Sequence, residues 1–218
     1  LRRRIILSFT AVLLGAVVSW IFRGPLVEAL LAPAGGRSFI FLAPPDLFLA
    51  YLRMALPAGT ALAAPFVAYQ AAAFLLPALR GREKILLLLL LPLGAVFFAA
   101  GVLFAYFAVL PLALRFFLSF TAPGVTAALS FPAYVDFCLS FTAAFGAAFE
   151  LPVLVVLLTK TGIVRRETLS RARGYALLLI LILAAVLTPP DVASQIMLAA
   201  PLYLLFEASI LLARLFGN

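Results

Sequence analysis

Residues 85–114 read ILLLLLLPLGAVFFAAGVLFAYFAVLPLAL, thirty consecutive positions without a charged residue. Crossing the ~30 Å hydrocarbon core of a bilayer takes about 20 residues of α-helix, so this stretch can span a membrane. The whole chain has the same character, because 67% of its 218 residues are hydrophobic, 11% are charged and the mean hydropathy is +1.24. A water-soluble domain keeps roughly a quarter of its residues charged. The sequence therefore predicts a single integral membrane domain, residues 1–218.

Charged residues separate six apolar stretches. The predicted membrane-spanning helices are residues 5–23, 54–79, 85–112, 137–159, 174–187 and 193–213. The fifth is short because Pro189-Pro190 cannot continue a helix, and a helix of roughly 21 Å either lies within the bundle or thins the bilayer locally. Prolines inside the other stretches predict kinks. We expect an all-α membrane protein with six transmembrane helices, arranged as a kinked bundle with a capped concave face.

The distribution of basic residues predicts the orientation. Twelve Lys and Arg residues lie at the two termini and in the second–third and fourth–fifth connections, and four lie on the opposite side. The positive-inside rule then places both termini in the cytoplasm. The first stretch also resembles a signal peptide with Ala32-Pro33-Ala34 as a cleavage site, but charged Arg23 and Glu28 precede that site, so a retained span is favoured.

Residues from about 24 to 53 form the longest predicted external loop. Its prolines, Pro33 among them, alternate with large apolar residues. This mixture predicts short interfacial helices that form a cap, with Pro33 in a turn of that cap. A second external loop is expected at roughly 115–136, and a tight cytoplasmic turn at Arg80–Lys84.

Several classes of site are excluded by composition. The chain has no histidine and one cysteine, Cys138, which rules out His-ligated haem, Ser-His and Cys-His nucleophile pairs and a disulfide within the chain. Nucleotide-binding motifs are also missing from the sequence. We expect no cofactor and no metal. Nucleic acid is not an expected partner either, because the basic residues cluster between apolar runs.

Three polar sites stand out against this background. Glu150 lies near the middle of the fourth stretch, where a carboxylate costs roughly 2.5–3.5 kcal/mol and faces protein or water. It is either a protonated group bonded to a neighbouring helix or a functional group, and Gln195 is its candidate partner. Glu83, between Arg80 and Lys84, forms a solvated ion pair or offers a carboxylate to a basic ligand; composition alone favours the ion pair. Asp191 suits the N-cap of the sixth helix after the Pro189-Pro190 turn.

With these residues in view, the chain closely resembles the TatC family, the receptor subunit of the twin-arginine protein translocase. The matching strings follow the family's order nearly from end to end. They are Leu1-Arg2-Arg3-Arg4, Tyr69-Gln70, Ala73-Phe74, Pro77-Ala78-Leu79 with Glu83, Phe104–Phe107, Pro111-Leu112, Phe145-Gly146, Phe149–Val153, Leu187–Asp191, Ser194-Gln195, Pro201 and Leu205–Glu207.

The resemblance implies a receptor and docking platform for folded-protein export driven by the proton-motive force, and not an enzyme. It implies a bacterial cytoplasmic (inner) membrane as the location, and Glu83, Arg2 and Arg4 as residues that bind the signal peptide. Phe74 either belongs to the same site or is an aromatic residue that faces lipid near the interface. Glu150, with Gln195, is implied to contact partner subunits, or Glu150 lines the concave face. The family's N-terminal glutamate would precede Leu1, so this part of the predicted signal site is not in the sequence. The expected partners are twin-arginine signal peptides, small single-span subunits of the TatA and TatB type, the lipid bilayer and further copies of the chain.

Two other functional classes remain for comparison. A secondary transporter or channel subunit would use Glu150 as an ion or proton site, but it would be expected to show internal repeats and more polar residues at the midplane. An intramembrane protease without histidine needs a Ser-Lys or two-Asp site. The candidate lysines and aspartates lie at loop edges or outside the stretches.

Overall fold

The structure is a computed structural model that describes residues 2–78, 81–120, 128–160, 162, 164, 166–187 and 192–216. Most of these residues are helical. The α-helices are α1 (Arg2–Ile21), α2 (Arg23–Leu31), α3 (Pro44–Leu75), α4 (Gly81–Phe104), α5 (Leu110–Leu118), α6 (Phe131–Phe149), α7 (Leu151–Lys160), α8 (Arg166–Arg171), α9 (Arg173–Leu187) and α10 (Val192–Phe216). Short 3-10 turns follow α2 and α3, at Ala32–Ala34 and Leu76–Ala78, and a π-helical turn, Ala105–Val109, joins α4 to α5.

Among the described residues, five helical segments are long and apolar enough to cross a membrane. They are Arg2–Ile21, Pro44–Phe74, Lys84–Leu118, Phe131–Lys160 and Gln195–Leu212. A sixth apolar helix, Arg173–Val186, is shorter and corresponds to the fifth predicted span. The pattern of apolar stretches therefore identified the helices of a membrane protein correctly.

The second long helix begins ten residues before its predicted start, so the prediction of an external loop up to residue 53 is wrong. Pro44 and Pro45 occupy the first two helical positions, where a fixed φ is suitable and a missing N–H is harmless. The Asp46 carboxylate accepts a hydrogen bond from the Ala43 backbone N–H at 3.0 Å. These residues start the helix at Pro44. The sequence pattern placed the start later because the charge of Arg53 interrupts the apolar stretch.

Other helix ends also extend past the apolar stretches. The predicted external loop at 115–136 is shorter, because α5 continues to Leu118 and α6 begins at Phe131. The predicted tight turn at Arg80–Lys84 is also different, because α4 begins at Gly81 and Glu83 is its third residue. Arg, Lys and Glu are good helix formers, so a charge ends an apolar run without ending a helix.

A two-residue β-strand pair was missed by the all-α prediction. Strand β1 (Phe39–Ile40) pairs in parallel with β2 (Leu129–Ser130), and Phe39 lies opposite Leu129. Strands of two residues carry no recognisable alternation of apolar and polar side chains. Their pairing can only be seen once the surrounding helices are placed.

The chain divides into two compact units. The first contains residues 1–87 and 114–139, and the second contains residues 88–113 and 140–218. Helices α4, α5 and α6 run through the boundaries between these units.

In the first unit, the segment after α1 folds into a small cap with its own core. Ala50 and Met54 of α3 and Phe131 and Val135 of α6 are buried together. The partly buried residues packed around them are Val27, Leu30, Leu31, Phe39, Leu47, Tyr51 and Leu139. Two polar contacts add to this core: the Tyr134 hydroxyl donates to the Leu30 carbonyl at 2.8 Å, and Arg53 pairs with Asp136. The cap is thus fastened to both α3 and α6.

The contact between α1 and α3 depends on two glycines. A Cβ atom on Gly15 would collide with the Gly59 carbonyl oxygen, and a Cβ on Gly59 would collide with the backbone of Ala16. The two backbones therefore touch at this crossing. Between apolar helices in lipid, such close approach increases van der Waals contact where burial from water supplies no driving force.

We predict that Gly59→Ala destabilises the protein by about 1–3 kcal/mol, because the added methyl group forces α1 and α3 apart. Gly24→Ala is the matched control, since a Cβ at Gly24 meets nothing within 4 Å. It should leave stability unchanged or raise it by up to about 1 kcal/mol, through better helix propensity. Thermal unfolding of the purified protein in detergent measures both. Equal Tm values for Gly59→Ala and the unaltered protein would contradict the glycine crossing.

Candidate functional site

Glu150 lies at a break between α6 and α7. Its N–H donates to the Ala147 carbonyl at 3.2 Å, which is a tight turn, and its own carbonyl accepts from the Leu154 N–H at 2.9 Å. Pro152 has no N–H to offer to the carbonyl of Ala148, so one hydrogen bond of a regular helix is missing at this point. The sequence Glu150-Leu151-Pro152 therefore places the acidic side chain at an irregular turn in the middle of an apolar segment.

Glycines of α4 make room for this turn. A Cβ on Gly94 would lie 3.0 Å from Glu150 Oε2 and 3.3 Å from Oε1. Further along the same face of α4, a Cβ on Gly101 would collide with the Phe145 carbonyl. On the opposing helix, a Cβ on Gly146 would lie 2.8 Å from the Phe98 ring. Residues 94, 98 and 101 recur at helical spacing, so one face of α4 receives the end of α6 and the Glu150 carboxyl group.

The Glu150 carboxyl group is deep in its segment and has no polar partner among the residues that the structure describes. It is ten residues before Lys160 and fourteen after Asp136, or about 15 Å and 21 Å along a helix. Its side chain is partly exposed. A carboxyl group at this depth can accept a hydrogen bond when ionised or donate one when protonated. It is therefore available to a polar group brought by another molecule.

Gln195 belongs to the hairpin of α9 and α10, where α10 packs against both α9 and α7. Its Nε2 donates to the Leu181 carbonyl of α9 at 2.9 Å. The predicted partnership with Glu150 is thus wrong for the described residues, because the antiparallel neighbour α9 presents a backbone acceptor beside the amide. In the described ranges, no donor reaches the amide oxygen of Gln195.

A cluster of three polar residues at the other end of the hairpin was not singled out by the sequence. Arg173 Nη2 donates to Glu207 Oε2 at 2.9 Å, and Arg173 Nε lies 2.8 Å from Oε1 as an ion-pair contact. The Tyr203 hydroxyl donates to Oε1 at 3.0 Å. A signal existed in the sequence: Glu207 interrupts the sixth apolar stretch, Arg173 directly precedes the fifth, and Tyr203 is one turn before Glu207.

The residues predicted to bind a signal peptide all belong to the first unit. Arg2 is exposed at the start of α1, and Arg4 Nη1 donates to the Gln70 carbonyl of α3 at 3.4 Å. Phe74 lies one helical turn after Gln70 and is 46% exposed. The structure thus brings Arg4 to the end of α3 that carries Phe74. The backbone of Glu83 is in the first turn of α4, and its side chain lies outside the described part.

The remaining predicted residues belong to turns. Pro33 is in the 3-10 turn after α2, which ends at Gly35 with a φ of 67°. Pro189, Pro190 and Asp191 lie outside the described residues. Within the described ranges, no group of three or more Cys, Asp or Glu side chains is close enough to hold a metal ion.

Comparison with known proteins gives consistent matches. The family model described as "Sec-independent protein translocase protein (TatC)" matches residues 1–201. The protein of that name from Desulforapulum autotrophicum is 39% identical over 223 residues, which cover 100% of this chain and 83% of the relative. The one from Carboxydothermus hydrogenoformans is 37% identical over 217 residues, covering 98% and 89%.

A solved structure shares the fold. It is described as "Crystal Structure of Twin Arginine Translocase Receptor- TatC" and superimposes with a TM-score of 0.87. Its sequence is 37% identical, and the match covers 98% of this chain and 96% of the other.

We predict that Gly94→Ala destabilises the protein by about 1–3 kcal/mol when Glu150 is present and far less in a Glu150→Ala background. The reason is that the new methyl group would lie 3.0 Å from Glu150 Oε2, so the carboxyl group would have to move away from α4. A double-mutant cycle on thermal unfolding in detergent measures this coupling. Gly101→Ala is the control, because it meets the backbone of Phe145 and should be equally harmful in both backgrounds. Additive effects of Gly94→Ala and Glu150→Ala would rule out the contact.

Proposed function

Because the chain belongs to the TatC family of Sec-independent protein translocase proteins, we propose that it is the receptor subunit of a twin-arginine translocase. It binds twin-arginine signal peptides at its cytoplasmic face and docks small single-span subunits of the TatA and TatB type for the export of folded proteins. The proton-motive force drives that export, and the subunit itself is not an enzyme. The observation that carries the proposal is the family match over most of the chain, together with the apolar helices.

The proposed topology is a single integral membrane domain, residues 1–218, with six spans and both termini in the cytoplasm of a bacterial cell. Five spans are the long apolar segments, and the sixth is the short helix α9. Twelve of the sixteen basic residues fall on the side assigned to the cytoplasm. Prolines 57, 65, 92, 111 and 201 within the helices support the proposed kinks.

Glu83 is the proposed contact for the signal peptide's arginines. A guanidinium group is planar and permanently charged, so a carboxylate can bind it through two parallel hydrogen bonds, which lysine cannot form. The first turn of α4 also stabilises an acid through the helix dipole. This effect and the binding role both require Glu83 to be ionised. They are therefore compatible.

Arg2, Arg4 and Phe74 complete the proposed binding surface in another way. Arg4 donates to the Gln70 backbone carbonyl of α3, which is consistent with a role in binding backbone carbonyl groups. The positive charges of Arg2 and Arg4 repel the two arginines of the signal peptide and so direct them toward Glu83. The same two side chains can donate hydrogen bonds to the peptide's backbone carbonyl groups. The exposed Phe74 ring offers an apolar contact to the hydrophobic part of a signal peptide.

The proposed docking groups for single-span subunits are Glu150 and Gln195. Each has an oxygen that receives no hydrogen bond from the described residues. An unsatisfied polar group in hydrocarbon is costly, and a donor on a partner helix would satisfy it. The exposed side chains of α9, such as Leu178, Ile182 and Val186, supply an apolar surface for the same partner.

We predict that Glu83→Gln weakens the binding of a twin-arginine signal peptide by about 10–100-fold, because a charge-assisted hydrogen bond is lost. Fluorescence anisotropy with the detergent-solubilised protein measures the Kd. A twin-lysine peptide should bind weakly to the unaltered protein and lose little on Glu83→Gln. The control variant is Glu28→Gln, which removes an acid from α2 in the cap and should leave the Kd unchanged. Equal affinities of Glu83→Gln and unaltered protein would reject the contact.

We also predict that an impermeant thiol reagent labels Arg37→Cys from outside the cell and Gly81→Cys only after the membrane is opened. The background is Cys138→Ala, which removes the single native thiol. Labelling of intact spheroplasts and of inverted vesicles gives the two sides. Reaction of Gly81→Cys in intact spheroplasts would reverse the proposed orientation and remove Glu83 from the cytoplasm.

A further inference from the structure

The hairpin of α9 and α10 is fastened by side chains near both of its ends. Near one end, Gln195 of α10 donates to the Leu181 carbonyl. Near the other, Arg173 of α9 contacts both carboxylate oxygens of Glu207, and Tyr203 donates to one of them. The two fastenings are twelve residues apart on α10 and eight apart on α9, or about 18 Å and 12 Å. The long side chain of Arg173 bridges the difference between these two lengths.

We propose that Arg173, Glu207 and Tyr203 are positioning residues for partner docking: they clamp the register of α9 against α10 and so hold Gln195 and the exposed face of α9 in place for a single-span partner helix. This inference rests on the docking role proposed above. Arg173, Glu207 and Tyr203 do not touch the partner in this proposal. They act through the geometry of the hairpin.

The chemistry of the cluster suits a clamp. A two-point contact between a guanidinium group and a carboxylate fixes orientation as well as distance, and a charge-assisted bond is stronger than a neutral one. Glu207 and Tyr203 are four residues apart, so they lie on one face of α10 and the hydroxyl restrains the carboxylate. An unpaired charge inside a span is costly, so pairing lowers the cost of keeping Glu207 and Arg173 in the apolar hairpin.

Packing alone leaves the hairpin less well defined. Ile180 and Ala184 of α9 and Leu198, Ala199 and Leu202 of α10 are buried, but all are smooth aliphatic side chains. In lipid, contact between such surfaces depends on van der Waals packing, without the exclusion of water that adds to matched apolar faces in a soluble protein. The α9 helix is also short, so it has few turns to hold its register. The polar fastenings supply the specificity that these contacts lack.

The first experiment measures the hairpin itself. Spin labels at Val186→Cys and Leu204→Cys, which are 78% and 69% exposed, report the distance between α9 and α10 in the full chain with Cys138→Ala. We expect a narrow distance distribution that broadens in Arg173→Gln and in Glu207→Gln. The double variant Arg173→Glu/Glu207→Arg should restore the narrow distribution, since an acid at the start of α9 and a base late in α10 suit both helix dipoles.

The control for this experiment is Arg171→Gln, which removes one positive charge without changing the clamp residues and should leave the distance distribution unchanged. Unaltered distances in both single variants would overturn the clamp.

The second experiment measures docking in membranes that contain a single-span partner subunit. A photo-crosslinking residue at Ile196, exposed beside Gln195, should react with the partner. We expect the yield to fall about fivefold in Arg173→Gln and Glu207→Gln and to recover in the charge-exchanged variant. Binding of the twin-arginine peptide should stay within about twofold, which a general loss of folding would not allow. A yield that does not recover overturns the proposed pairing. If the unaltered chain gives no crosslink, the docking role itself fails, whereas the spin-label distances still decide the clamp.

Discussion

Hydrocarbon supplies no hydrogen bonds to a polypeptide, and this constraint accounts for most of what the described residues do. Backbone groups must be satisfied within each helix, so nearly all of the described chain is helical. Water is not excluded when two apolar helices meet in lipid, so their association depends on close contact instead of burial. Gly15 with Gly59 in the first unit, and Gly94 and Gly101 in the second, are the places where the helices come close enough.

The same constraint separates the polar side chains into two groups. Glu207 is surrounded by donors from Arg173 and Tyr203, so its presence in an apolar helix is explained by the protein alone. Glu150 and the Gln195 amide oxygen have no donor within the described part of the chain. An acid in an apolar segment that is well supplied with donors can be explained as structural, whereas one without a donor would be stabilised by a polar group of a partner. This contrast is the physical basis for assigning docking to Glu150 and Gln195 and positioning to Glu207.

The sequence predicted much of the fold and less of its detail. Apolar stretches marked the helices, and Pro152 explains the break beside Glu150. Helix ends were misplaced at Pro44 and Gly81 because a charge stops an apolar run but not a helix. The pairing of β1 with β2, the fit of Gly94 around Glu150 and the bond from Gln195 to Leu181 depend on tertiary proximity, which no local pattern encodes. The assignment of Glu83 came from the family resemblance, since composition alone favoured a simple ion pair.

Positive charge has a double effect on the proposed receptor. In the proposed orientation, the basic residues that keep loops in the cytoplasm include Arg80, Arg82 and Lys84, which flank Glu83 in the sequence. Repulsion from Arg2 and Arg4 would weaken the binding of any basic peptide, and the proposed pairing of a carboxylate with a guanidinium group would recover the loss. Selectivity for arginine over lysine would then come from two effects. Basic peptides in general are repelled, and only a guanidinium group gains the two-point contact with the Glu83 carboxylate. A receptor with a broadly acidic surface would bind more tightly but could not make this distinction. The basic residues that flank Glu83 in the sequence would therefore serve the proposed recognition as well as the proposed topology.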